Sequence, residues 1–114
     1  MTMEEMFQSF AEKYGDEFHW HLLPSPDTGF VSQLRRELGG AHPLSGRNIQ
    51  AVAKCDARDD VLFFVDGGGA EGGYYIFHLA YAPYFGDGFP RHIHFPELRA
   101  AAEFIEQDFI QEYL

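Results

Sequence analysis

Val61-Leu62-Phe63-Phe64-Val65 is a short apolar run between two polar breaks, and it suits a central strand covered on both faces. The break before it is the polar turn Asp56 to Asp60. The break after it is Asp66-Gly67-Gly68-Gly69-Ala70-Glu71-Gly72-Gly73, a glycine-rich connection that joins strand to strand. Upstream, the period is two: Ile49, Ala51, Ala53 and Cys55 alternate with Asn48, Gln50 and Lys54, which describes a strand with one wetter side. Downstream, Tyr74-Tyr75-Ile76-Phe77-His78-Leu79-Ala80-Tyr81 is a third extended segment. Residues 48 to 81 therefore predict consecutive antiparallel strands, a meander.

Helical patterns flank this centre. Thr2 with Glu5 three residues later has the form of a capping box, and Met3, Met6, Phe7, Phe10 and Tyr14 recur at helical spacing before Gly15. Phe18 to Leu23 alternates as an extended segment until Pro24-Ser25-Pro26-Asp27. Phe30, Val31, Leu34 and Leu38 mark a shorter helix stopped by Gly39-Gly40. Between Pro83 and Pro96 the chain is rich in glycine, proline and aromatics and reads as irregular. A last helix begins near Pro96-Glu97, with Leu98, Ala101, Ala102, Ile105, Phe109 and Tyr113 in one stripe. The fold class is α+β: a single domain over 1–114 with a three- or four-stranded antiparallel sheet packed by N-terminal and C-terminal helices.

Charge narrows the function classes. The chain carries 18 acidic against 8 basic side chains, a net charge of −10. Nucleic acid and anionic membrane surfaces are poor partners for such a surface, because binding to them draws on lysines and arginines that release counterions. A basic protein is attracted instead. Cys55 is the only cysteine, so no intrachain disulfide and no cysteine zinc site can form. With acids near the N-terminus and no apolar run of membrane-spanning length, the expected location is cytoplasmic.

No spaced set of residues specifies a reaction. His19-Trp20-His21 and His92-Ile93-His94 would each place two imidazoles on one side of a strand, half of a metal site. With Glu97, the pair His92 and His94 resembles the first motif of cupins. That motif continues along a barrel strand, whereas Pro96 opens a helix here. His78 reads either as a general base or as a sheet-face histidine bonded to a neighbour. Cys55 lacks the electropositive surroundings of a nucleophilic thiol. The glycine-rich run lacks the Lys-Ser/Thr ending of a phosphate loop. No cofactor is expected.

The stretch Pro83-Tyr84-Phe85-Gly86-Asp87-Gly88-Phe89-Pro90 sets aromatics beside an acid, the chemistry of a protein contact surface. Asp59, Asp60, Tyr84, Phe85, Asp87 and Phe89 are the partner-binding candidates.

Taken together, His42-Pro43-Leu44-x-Gly46, Asp59-Asp60-Val61-Leu62-Phe63, His78-Leu79 and Pro90-Arg91 resemble a pattern in small, largely uncharacterised bacterial proteins, some of which resemble immunity proteins of polymorphic toxin systems. The similarity covers residues 42 to 105. It implies an α+β fold, leaves a toxin-neutralising role as one possibility among others, and supplies no catalytic residues. The leading expectation is a non-enzymatic acidic binding protein of bacterial type, an immunity protein or inhibitor of a basic toxin domain. The alternative is a histidine-dependent metal-binding protein or small hydrolase using His92 and His94.

Overall fold

A computed structural model describes residues 2–23, 29–40, 42–44, 46–67, 72–80 and 91–113. Its sheet has five antiparallel strands in the order β1 (Trp20–Leu22), β2 (Ile49–Cys55), β3 (Asp60–Val65), β4 (Gly73–His78) and β5 (Arg91–Phe95). The helices are α1 (Met3–Tyr14), α2 (Gly29–Leu38) and α3 (Leu98–Tyr113), with a 3-10 turn at Gly15–Glu17. The α+β class and the meander over β2, β3 and β4 agree with the sequence. The strand count is five, because Arg91–Phe95, expected to be irregular, pairs with β4, and Trp20–Leu22 adds a short edge.

Strand β3 occupies the centre, and its two-sided burial follows from alternation. Val61, Phe63 and Val65 face one apolar cluster with Tyr75, Phe77, Leu79 and the α2 residues Leu34 and Leu38. Leu62 faces the other cluster, with Ile76, Phe95 and residues of α1 and α3 that include Phe7, Phe10, Ala101, Ile105 and Phe109. The sheet is thus covered by α1 and α3 on one face and by α2 on the other. Removal of so much aromatic and aliphatic surface from water is the main favourable term in folding.

One expectation about faces is corrected. Ile49, Ala51, Ala53 and Cys55 do not share a side: the β2–β3 register shifts between Ala51 and Ala53. This bulge inserts Val52 as an extra residue and inverts the alternation. Ile49 and Ala51 therefore join the α2-side cluster, and Val52, Ala53 and Cys55 the α1/α3 side. Both halves of the strand supply a buried face, which a strict period of two would not allow.

Local chemistry fixes the helix ends. The Thr2 hydroxyl accepts from the Glu5 N–H at 3.2 Å while Glu5 Oε1 accepts from the Thr2 N–H at 3.0 Å, closing the capping box. Gly15, at φ 69°, ends α1 in a conformation that side-chain-bearing residues avoid. On the opposite side of the sheet, Glu37 of α2 is buried and its Oε1 accepts the Ala80 N–H at 2.7 Å, tying α2 to the end of β4.

Candidate functional site

Two features concentrate the polar side chains: a network at the α3 end of the sheet, and an acidic outer layer on α1 and α3. The network starts from register. Asp60, His78 and Arg91 are successive cross-strand partners on β3, β4 and β5, so their side chains form a row on the α3 face. His78 Nδ1 lies 2.8 Å from Asp60 Oδ1, and Arg58 Nε donates to Asp60 Oδ2 at 2.9 Å. Arg58 Nη2 also donates to Asp108 Oδ2 on α3, and that oxygen lies 2.6 Å from Nε2 of the buried His19. The chain of contacts crosses β4, β3, the β2–β3 turn, α3 and the residue before β1.

The electrostatics follow from this arrangement. Burial alone would raise the Asp108 carboxyl, but hydrogen bonds from His19 and Arg58, together with the Arg58 charge, more than offset it and hold the group below the usual carboxylate range. Burial likewise disfavours the Arg58 cation, and its bonds to Asp60 and Asp108 keep it protonated.

Beside this network lies a cleft of about 410 Å³, with Ile76, Ile93 and Phe104 as its apolar part and His78, Arg91 and Glu112 among its polar groups. An imidazole oriented by a carboxylate can serve as a general base when a nucleophile stands next to it. No Ser, Thr or Cys is among the described residues that line the cleft. Cys55 is fully buried, and burial pushes its thiol up, as expected for an inert core cysteine.

The acidic layer is the second feature. Helix α1 exposes Glu4, Glu5 and Glu12, the following turn exposes Asp16 and Glu17, and α3 carries Glu103, Glu106, Asp108 and Glu112. The bases on these elements are Lys13 and Arg99, and each meets an acid: Lys13 Nζ is 3.0 Å from Glu106, and Arg99 Nε is 3.7 Å from Glu103. Helix α2, across the sheet, carries Arg35 and Arg36, and its one acid, Glu37, is buried. Charge is therefore polarised across the sheet. Between α1 and β1 a groove of about 380 Å³ joins Glu4 and Asp16 to the rings of Phe7, Phe18 and Trp20.

Sequence reading placed the chemistry unevenly. Asp59 is exposed, whereas the Asp60 side chain is only 16% exposed and engaged by Arg58 and His78. Tyr84, Phe85, Asp87 and Phe89 lie outside the described residues. His92 and His94 do share a face, where both rings contact Tyr75. His94 stacks on Tyr75 at 4.3 Å and its Nε2 lies 2.8 Å from the Gly72 carbonyl oxygen. Among the described residues, no group of three or more His, Cys, Asp or Glu is placed to hold a metal ion.

The other histidine pair is divided. His19 is buried against Asp108, while His21 is exposed and contacts Asp56 at 2.6 Å. The Arg58–Asp108 link was not foreseen. Its only sequence signal is Asp108, a charged residue next to Phe109 in the apolar stripe of α3.

No family model, no curated protein and no solved structure matches this chain. No described helix is long and apolar enough to cross a membrane.

Proposed function

We propose that this chain is a non-enzymatic binding protein that recognises a basic protein surface through the acidic layer of α1 and α3. On the resemblance noted above, the partner is a basic toxin domain and the chain its inhibitor or immunity protein. The supporting observation is the polarisation of charge between the helices: acids gather on α1 and α3, whose bases Lys13 and Arg99 each meet an acid, and α2 on the other side of the sheet carries arginines. A protein with such a field orients during diffusion and meets an oppositely charged partner faster than a neutral one would. Exposed pairs such as Arg99–Glu103 add little to stability.

The α1–β1 groove suits this role. Carboxylates beside aromatic walls are the surroundings that favour a lysine or arginine side chain, by charge and by cation–π attraction. The test is capture of bacterial proteins on immobilised chain, followed by binding kinetics with the purified partner. A basic partner whose binding is weakened by Glu4→Lys with Asp16→Lys supports the reading. A partner bound equally well by this variant contradicts it.

A further inference from the structure

We propose that the cleft between α3 and the β4–β5 end of the sheet binds a free α-amino acid with a large apolar side chain. Its volume of about 410 Å³ is that of a small-ligand site. The buried Ile76 lines it together with Ile93, 41% exposed, and Phe104, 37% exposed. The last two are the large hydrophobic side chains left exposed among the described residues. Gathered in one concavity rather than scattered singly, they offer a surface to an apolar group.

The polar groups define the rest of the ligand. Arg91 lines the cleft and, among the described residues, has no ion pair or hydrogen bond. Its guanidinium is free to present a planar fork of donors to a carboxylate. Its cross-strand neighbour His78 has the opposite character. His78 Nδ1 lies 2.8 Å from Asp60 Oδ1, and an ionised carboxylate only accepts, so Nδ1 carries the proton and Nε2 of the neutral ring is an acceptor. No described group engages that Nε2. Glu112, with its side chain 54% exposed and 3.5 Å from Arg58, is a second acceptor on the α3 side.

A donor fork therefore stands beside two acceptors, over apolar walls. An α-amino acid carries a carboxylate and an ammonium on one carbon, and Arg91 and His78 are spaced to match, because directly opposed residues of antiparallel strands have Cβ atoms about 4.5–5.5 Å apart. The carboxylate meets Arg91, the ammonium donates to His78 Nε2 and Glu112, and the side chain covers Ile93 and Phe104. Charge favours this dipolar ion over simpler ligands. The cleft sets Asp60, Asp108 and Glu112 against Arg58 and Arg91, so a plain carboxylate would add to an acidic excess. A plain amine would leave Arg91 unmatched. The cleft lies at the opposite end of the strand order from the α1–β1 groove, and its occupancy does not depend on the binding role proposed above.

Isothermal titration calorimetry of the full chain at pH 7.5 with L-phenylalanine and L-leucine tests the site. Saturable one-to-one binding in the micromolar to low millimolar range is expected for at least one of them. L-Phenylalanine amide, which lacks the carboxylate, 3-phenylpropionate, which lacks the ammonium, and glycine, which lacks the apolar body, should each bind about tenfold more weakly or worse. Arg91→Gln and Glu112→Gln, both at exposed positions, should weaken binding of the amino acid by about tenfold with an unchanged circular dichroism spectrum. Arg36→Gln, on α2 across the sheet, should leave it unchanged. Absence of binding by both amino acids overturns the proposal, as does binding indifferent to Arg91→Gln. 3-Phenylpropionate bound as tightly as L-phenylalanine overturns the assignment of a dipolar ligand.

Discussion

Arg58 and Asp108, fifty residues apart in sequence, meet in a charge-assisted hydrogen bond that fastens the β2–β3 turn to the third turn of α3. Asp108 is held below the ordinary carboxylate range in the native state. Its contribution to stability is therefore complete above the unfolded value near ~4 and is lost as pH falls through the depressed native value. Asp108→Asn should lower stability at neutral pH by about 1–3 kcal/mol, the scale of a hydrogen bond to a charged group. It should also flatten the acid limb of the stability curve below about pH 4. Urea unfolding at pH 7 and at pH 3 checks both: the variant and the wild type should differ less at the lower pH.

Glu37 is a buried acid whose removal strands a backbone donor. Glu37→Ala leaves the Ala80 N–H without the acceptor that meets it at 2.7 Å, an expected loss of about 1–3 kcal/mol in chemical denaturation. Amide exchange at Ala80 should accelerate in the same variant.

Gly73 opens β4 at φ +117°, and a Cβ built there would stand 2.8 Å from the Phe95 carbonyl oxygen. Backbone cannot yield as a side-chain tip can. Gly73→Ala should therefore destabilise the chain by about 1–3 kcal/mol from strain alone, with the overlap adding to this. A thermal unfolding midpoint equal to that of the wild type would contradict the β4–β5 geometry.

Cys55 is fully buried and its thiol is shifted up by burial, so the native protein should react with a thiol reagent only through unfolding. The expected result is negligible labelling in buffer and one thiol per chain in denaturant. Rapid labelling of the native protein would show that the β1–β2 side of the core is open.

The central strands were legible in the sequence because hydrophobic runs between polar turns encode them locally. The run Val61 to Val65 and the capping box at Thr2 needed no knowledge of neighbours. Strand β5 was missed because the glycine- and proline-rich stretch before it and Pro96 after it read as irregular; the alternation His92-Ile93-His94-Phe95 is too short to outweigh them, and pairing with β4 organises it. The face of Ala53 and Cys55 was misread for a related reason: a bulge is a two-strand event, and one strand's sequence does not record it. At the site, Asp60 read as a surface acid, yet its role is set by Arg58, His78 and, through Arg58, a helix nearly fifty residues on.

Charge-directed binding is the central claim, and the association rate with the captured basic partner, measured against ionic strength, tests it most directly. Wild-type chain should associate at least about tenfold faster at low salt than at high salt. Reversing Glu4, Glu12 and Asp16 to lysine should slow association and flatten the salt dependence. Asp59→Lys should act in the same direction, without the structural loss that a change at Asp60 would bring. A rate that ignores both salt and these reversals, in variants that keep their fold, would contradict the account.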